Sequence, residues 1–223
     1  MIIFWLIVLG ISVFIVYWAY FRLSPEQKMV SRYFIFGEYP IIGLLLGISD
    51  AEYDRFINQY VEQLNLKKKA LDKLGLDESQ AKELPPICLA DYYFDEKENN
   101  LLVREGKDRK DRSSGYQVSW LFFTQQQVYL HQYTLNLNSK EKKEVTEEYF
   151  WKDITNFSTS SESMRIARTN SKGKITYKNV NTKRFAMVVP GDKFYCSMKH
   201  DDDASEKAVR GMQTYLREKK SQA

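Results

Sequence analysis

The chain has 223 residues, with 33 Lys and Arg against 29 Asp and Glu, a formal net charge of +4, and aromatics at 14%. So small a basic excess, interspersed with acids, argues against a dedicated nucleic-acid binder. Two cysteines, Cys88 and Cys196, are too few for a disulfide framework.

The first stretch, 2–21, carries no charge, and only Gly10 and Ser12 interrupt its apolar residues. About 20 residues at a 1.5 Å rise match the roughly 30 Å hydrocarbon core of a bilayer. The sequence therefore predicts a single-pass transmembrane anchor over 1–23, with Trp18 and Tyr20 as interfacial residues. Nothing basic precedes the run and no small-residue cleavage site ends it, which argues against a signal peptide. Arg22, Lys28 and Arg32 follow, predicting a cell-membrane protein whose remainder lies on the cytoplasmic side.

Residues 24–85 read as a juxtamembrane helical region. Ser24-Pro25-Glu26-Gln27 and Ser49-Asp50-Ala51-Glu52 are helix starts of the capping-box kind. Between them, the apolar segment 41–48 is too short to cross a bilayer and is expected to pack at its surface or against the first helix. The second helix carries an apolar stripe of Tyr53, Phe56, Ile57, Tyr60, Val61 and Leu64. Such a stripe packs either on its own domain or on a partner helix. Lys67, Lys68 and Lys69 interrupt it, Leu71 and Leu74 resume it, and Gly75 supplies a left-handed stop.

From residue 86 to 223 the apolar period becomes alternating. A first strand is predicted over 87–94, paired with 101–104, and 107–114 reads as a solvated mixed-charge loop. Further strands follow at 116–123, 128–137, 145–157, 164–168, 175–180, 184–189 and 194–198, joined by short links as in an antiparallel meander. A terminal helix runs from near Asp203 to about Lys219, with Ala204, Ala208, Met212, Tyr215 and Leu216 on its apolar face. Trp120, Phe122, Ile154, Phe157 and Met212 are expected to be buried between sheet and helix. The fold class predicted is α+β: a transmembrane helix, a helical connecting region, then an antiparallel sheet or barrel of about seven strands capped by a helix.

Over 112–219 this order resembles the pleckstrin-homology-like fold, in the bacterial branch often attached to membrane helices. Val118-Ser119-Trp120-Leu121-Phe122-Phe123-Thr124 with Val128-Tyr129-Leu130 is similar to the family's first hairpin. Tyr149-Phe150-Trp151-Lys152-Asp153-Ile154-Thr155-Asn156-Phe157 is similar to its third strand. The resemblance implies an interaction domain that binds lipid headgroups or peptides.

Enzymatic constellations are scarce, and neither a cofactor nor a metal is expected. Cys88 reads as an inert strand thiol and His131 as a packing or surface residue. His200-Asp201-Asp202-Asp203 reads as a turn and N-cap rather than a metal cluster. One stretch stands out: Arg165, Arg168, Lys172, Lys174, Lys178, Lys183 and Arg184 lie between 164 and 191 without an acid. Such a ribbon suits anionic lipid headgroups, or else protects a solvated edge hairpin. The function expected is a membrane-anchored, non-enzymatic module that docks a protein partner or anionic lipid. The alternative is a structural subunit of a membrane assembly.

Overall fold

The structure, a computed structural model, describes residues 1–77, 84–95, 100–169, 175–200 and 202–221, without the side chains of 2, 6, 9, 12, 13, 16, 168, 169 and 175. Two compact units divide it, Met1–Phe56 and Ile57–Ala223.

The first unit holds α1 (Ile2–Phe21), α2 (Pro25–Val30), α3 (Pro40–Leu46) and the start of α4 (Asp50–Gln63). Ser24 caps α2 in a full capping box with Gln27. The Ser49 hydroxyl accepts the Glu52 N–H, while Glu52 accepts from Ser49 N–H at 2.8 Å. Aromatic stacking holds the interior: Tyr33 lies parallel to Tyr53 at 4.4 Å, and Phe34 meets Tyr53 edge-on at 5.3 Å. The Tyr33 hydroxyl donates to Asp50 Oδ1 at 2.8 Å, which satisfies the polar end of a fully buried ring.

Among the described residues no helix is long and apolar enough to cross a membrane. The expected single-pass anchor is corrected accordingly, and with it the cell-membrane location and the cytoplasmic assignment. The 41–48 segment forms α3 and leaves Ile41, Leu44 and Leu45 exposed.

In the second unit the apolar stripe breaks where Asn65 takes a left-handed φ of 46°. The chain restarts as α5 (Leu66–Leu74), which Gly75 ends with φ 62° as its sequence requires. Strands β1 (Leu84–Tyr92), β2 (Val103–Glu105), β3 (Asp111–Ser113), β4 (Gly115–Phe123), β5 (Gln127–Asn136) and β6 (Glu141–Phe150) follow. Then come β7 (Asn156–Thr169), β8 (Ile175–Val189), β9 (Asp192–Met198) and α6 (Asp203–Ser221).

The strands form antiparallel sheets ordered β1-β4-β5-β6, β2-β3 and β7-β8-β9. The class is α+β, but the sheets are open, and no closed barrel forms among the described residues. The 3₁₀ turn Trp151–Asp153 carries the chain out of the first sheet before β7 begins the third. Residue 103 pairs with 113 rather than with β1, and 111–113 is a strand, not loop. β1 pairs with β4 instead, Leu89 opposite Ser119. The expected 145–157 strand is divided by the 3₁₀ turn, and 175–180 and 184–189 are one strand, β8.

The main core lies between the first sheet (Leu89, Leu121, Phe123, Leu130), the third (Phe157, Phe185, Met187, Cys196) and α6 (Val209, Met212, Leu216). Ile154, Phe157 and Met212 are buried there as expected. Trp120 and Phe122 are not. A strand alternates faces, so they point to the opposite side of β4, where Phe122 packs with Ala70 and Leu71 of α5. The long β7–β8 hairpin also changes its buried face. Phe157 and Phe185 enter the main core, whereas Met164, Ile166 and Val180 meet Phe94 and Val103 in a separate cluster.

Candidate functional site

Three places in the second unit collect polar or concave features. The first is the basic ribbon, whose described cations meet separate partners. Lys178 is bonded to both Glu105 (3.1 Å) and Asp111 of the β2–β3 hairpin. Lys183 pairs with Glu206 of α6, and Arg184 donates to the Phe94 carbonyl at 3.2 Å and lies 3.8 Å from Glu162. Arg165 stacks over the exposed Tyr177 ring at 4.4 Å. The Arg168 side chain, Lys172 and Lys174 lie outside the described residues. Four of the expected seven cations thus have places, and three of those are engaged by acids distant in sequence. A count of like charges along a ribbon cannot foresee such partners.

The second is a cluster beneath α5. His131, with no exposed surface, sits 2.7 Å through Nε2 from Glu144 Oε1 on β6. The other Glu144 oxygen accepts from Lys73 at 2.6 Å and Lys69 at 3.2 Å. Burial works against the carboxylate. Hydrogen bonds from Lys73, His131 and Lys69 outweigh it and hold Glu144 down at about 2. His131 Nδ1 is buried without a partner. Lys69 also lies over the Tyr133 ring at 4.7 Å. Lys69 and Lys73 tie α5 to the sheet through one Glu144 oxygen, while the other joins β6 to His131 of β5. No sequence signal located this cluster, because its members come from three separate elements.

The third is a groove of about 420 Å³ between β1 and α6. One wall is Leu84, Pro85, Pro86, Ile87 and Cys88; the other is Ala204, Ser205, Ala208, Gly211 and Met212, with Asp202 at the end. The β1–β4 register shifts between Leu84 and Ile87, so the two prolines sit at a bulge where ladder donors are not required. Across the gap α6 presents small residues, and a Cβ added at Gly211 would meet nothing within 4 Å. Asp202 caps α6, accepting from the Ala204 N–H at 3.2 Å and from the Ser205 hydroxyl. The Ser205 bond lowers its pKa below the ordinary carboxylate range. The turn-and-cap reading of this segment therefore describes Asp202, while Asp201 lies outside the described residues.

Cys88 has exposed surface, yet desolvation by the apolar wall pushes its thiol up to about 11, so it stays protonated at neutral pH. Buried Cys196 is pushed up to about 12 for the same reason. Among the described residues no group of His, Cys, Asp or Glu could hold a metal ion. The stripe on α4 is used within the chain at its start, where Tyr53 is stacked and Phe56 lies 6.3 Å from it. Ile57 is buried, and Tyr60, Val61 and Leu64 are half-buried. Only the fold sets Cys88 and Gly211, distant in sequence, across one groove. No family model, curated protein or solved structure matches the chain.

Proposed function

We propose that the chain is a non-enzymatic interaction module that docks a protein partner in the groove between β1 and α6. The observation that carries this reading is the groove itself: an apolar concavity on rigid elements, with few polar groups. Its thiol is held in the unreactive form, and Asp202 is engaged in capping. Within 112–219, the span of the resemblance to pleckstrin-homology-like domains, antiparallel strands followed by a terminal helix are consistent with that resemblance. Such domains include peptide binders, although function rests on the site and not on the fold.

The test compares the parent chain with Gly211→Leu, which extends a side chain into the groove without displacing any neighbour of the Cβ. Slow alkylation of Cys88, followed at raised pH where a fraction of the thiol ionises, serves as the reporter, since Cys196 is buried. A genuine partner is captured by the parent, lost in the variant, and slows Cys88 alkylation. A partner held equally by both, with Cys88 unprotected, refutes the groove.

A second reading, an assembly subunit, draws support from α3 in the first unit, which exposes Ile41, Leu44 and Leu45. Sedimentation of the full chain with Leu44→Lys and Leu45→Lys tests it, because loss of a stable larger species on substitution is its required outcome.

A further inference from the structure

We infer that the occupant of the β1–α6 groove is an apolar peptide segment carrying a basic residue, with its Lys or Arg set against Asp202. This rests on the groove reading above and names the chemistry of its partner. The argument is one of supply. Pro85 and Pro86 have no N–H, so the β1 wall at the bulge offers no donor to an incoming strand. Ile87 and Cys88 are in ladder register with Leu121 and Trp120, and since consecutive N–H groups turn to opposite sides, at most one of the two is left for an incoming strand. On the facing wall, the backbone N–H groups within α6 are spent inside the helix, and the Ser205 hydroxyl is spent on Asp202. An added strand would find at most one donor along this stretch, so recognition falls mainly to side chains.

What the groove does offer is apolar surface from Leu84, Ile87, Ala208 and Met212, and one carboxylate. Asp202 is half-buried and ionised, and the hydrogen bonds from Ala204 N–H and from the Ser205 hydroxyl and N–H still leave acceptor capacity on the carboxylate. Lys199 is near enough to favour that ionised form, while the exposed Asp203 beside it adds a second negative charge. A carboxylate at a helix N-terminus also occupies the place an anionic ligand would take. At this end an acidic peptide would meet the two carboxylates of Asp202 and Asp203 against the one Lys199 ammonium, and a basic one their complement. The small faces of Ala204, Ala208 and Gly211 leave the width for apolar side chains.

The experiment uses the full chain and three fluorescent octapeptides with a common Leu-Val-Leu-Ala core, flanked by Lys, Gln or Glu pairs. Binding is read by polarisation at low and high salt. The Lys peptide is expected to bind about three- to tenfold more tightly than the Glu peptide, with the margin shrinking in salt. Asp202→Asn keeps an effective cap, since Asn caps a helix about as well as Asp, and should erase the preference while the melting temperature holds. Gly211→Leu should weaken all three peptides at least tenfold. If the three bind alike, or the preference survives Asp202→Asn, the charge inference is overturned and the groove stands. If none binds, or Gly211→Leu changes nothing, the groove reading and this inference fall together.

Discussion

Helices α5 and α6 lie on opposite faces of one sheet and are held by different forces. α6 inserts Val209, Met212 and Leu216 into a continuous apolar core. α5 has a smaller apolar contact through Ala70 and Leu71, supplemented by the Lys69 and Lys73 bonds to Glu144. Apolar burial has no charge to screen or protonate, whereas a carboxylate-centred cluster responds to both salt and acid. One sheet thus carries a permanent face and a conditional one. The proposed docking groove belongs to the α6 side, where apolar burial is supplemented by the Lys183–Glu206 pair.

The largest test of this contrast is Leu216→Ala, which should cost about 2–5 kcal/mol by the loss of buried methyl groups and the cavity left behind. Its effect on the thermal midpoint should be the same in low and high salt. An equal loss from Lys73→Ala would abolish the distinction between the two faces.

Next comes Glu144→Gln, expected to cost about 1–3 kcal/mol at pH 7 by leaving His131 and the lysines poorly matched. Because the folded pKa is depressed from 4.5 to about 2, this contribution is fully present above pH 4.5 and lost as pH falls towards 2. Parent and variant stabilities, measured by urea titration, should therefore converge across that window. A gap that persists at pH 2 would mean that the carboxylate charge is not what holds α5.

Gly75→Ala should destabilise by about 1 kcal/mol, since φ of 62° strains any residue with a Cβ, and the loss should fall on α5. Hydrogen exchange should show faster opening of 66–74 with 203–221 unchanged. The smallest effect has the opposite sign. Gly211→Ala fills open space on an exposed helix position and should stabilise α6 by about 0.5–1 kcal/mol. A loss there would mean that the groove wall already needs the bare glycine.

Helix ends were the part of the molecule most legible in the sequence. Ser24, Ser49 and Gly75 act through neighbours within four residues, so their patterns alone placed the caps and the stop. The apolar face of α6 was legible for a similar reason, because helical period is a local property. Pairing was harder. The 101–104 segment reads as a partner for the first strand, but hydrogen bonding chose 111–113 for Val103–Glu105 and β4 for β1. A hairpin prediction rests on proximity, and here an inserted hairpin separates two strands that do pair.

By itself the sequence determined the α+β class, the antiparallel strands and the terminal helix, since period and turn chemistry are written in adjacent residues. Only tertiary structure decided which face of β4 meets which helix, placing Phe122 with α5 and Leu121 with α6. It also placed Glu105, Asp111 and Glu206 against the basic ribbon. Pro85 and Gly211 became opposite walls of one groove in the same way. These facts share one physical cause. Burial and charge depend on distance in space, and residues far apart along the chain acquire that distance only when the sheets and helices close upon one another.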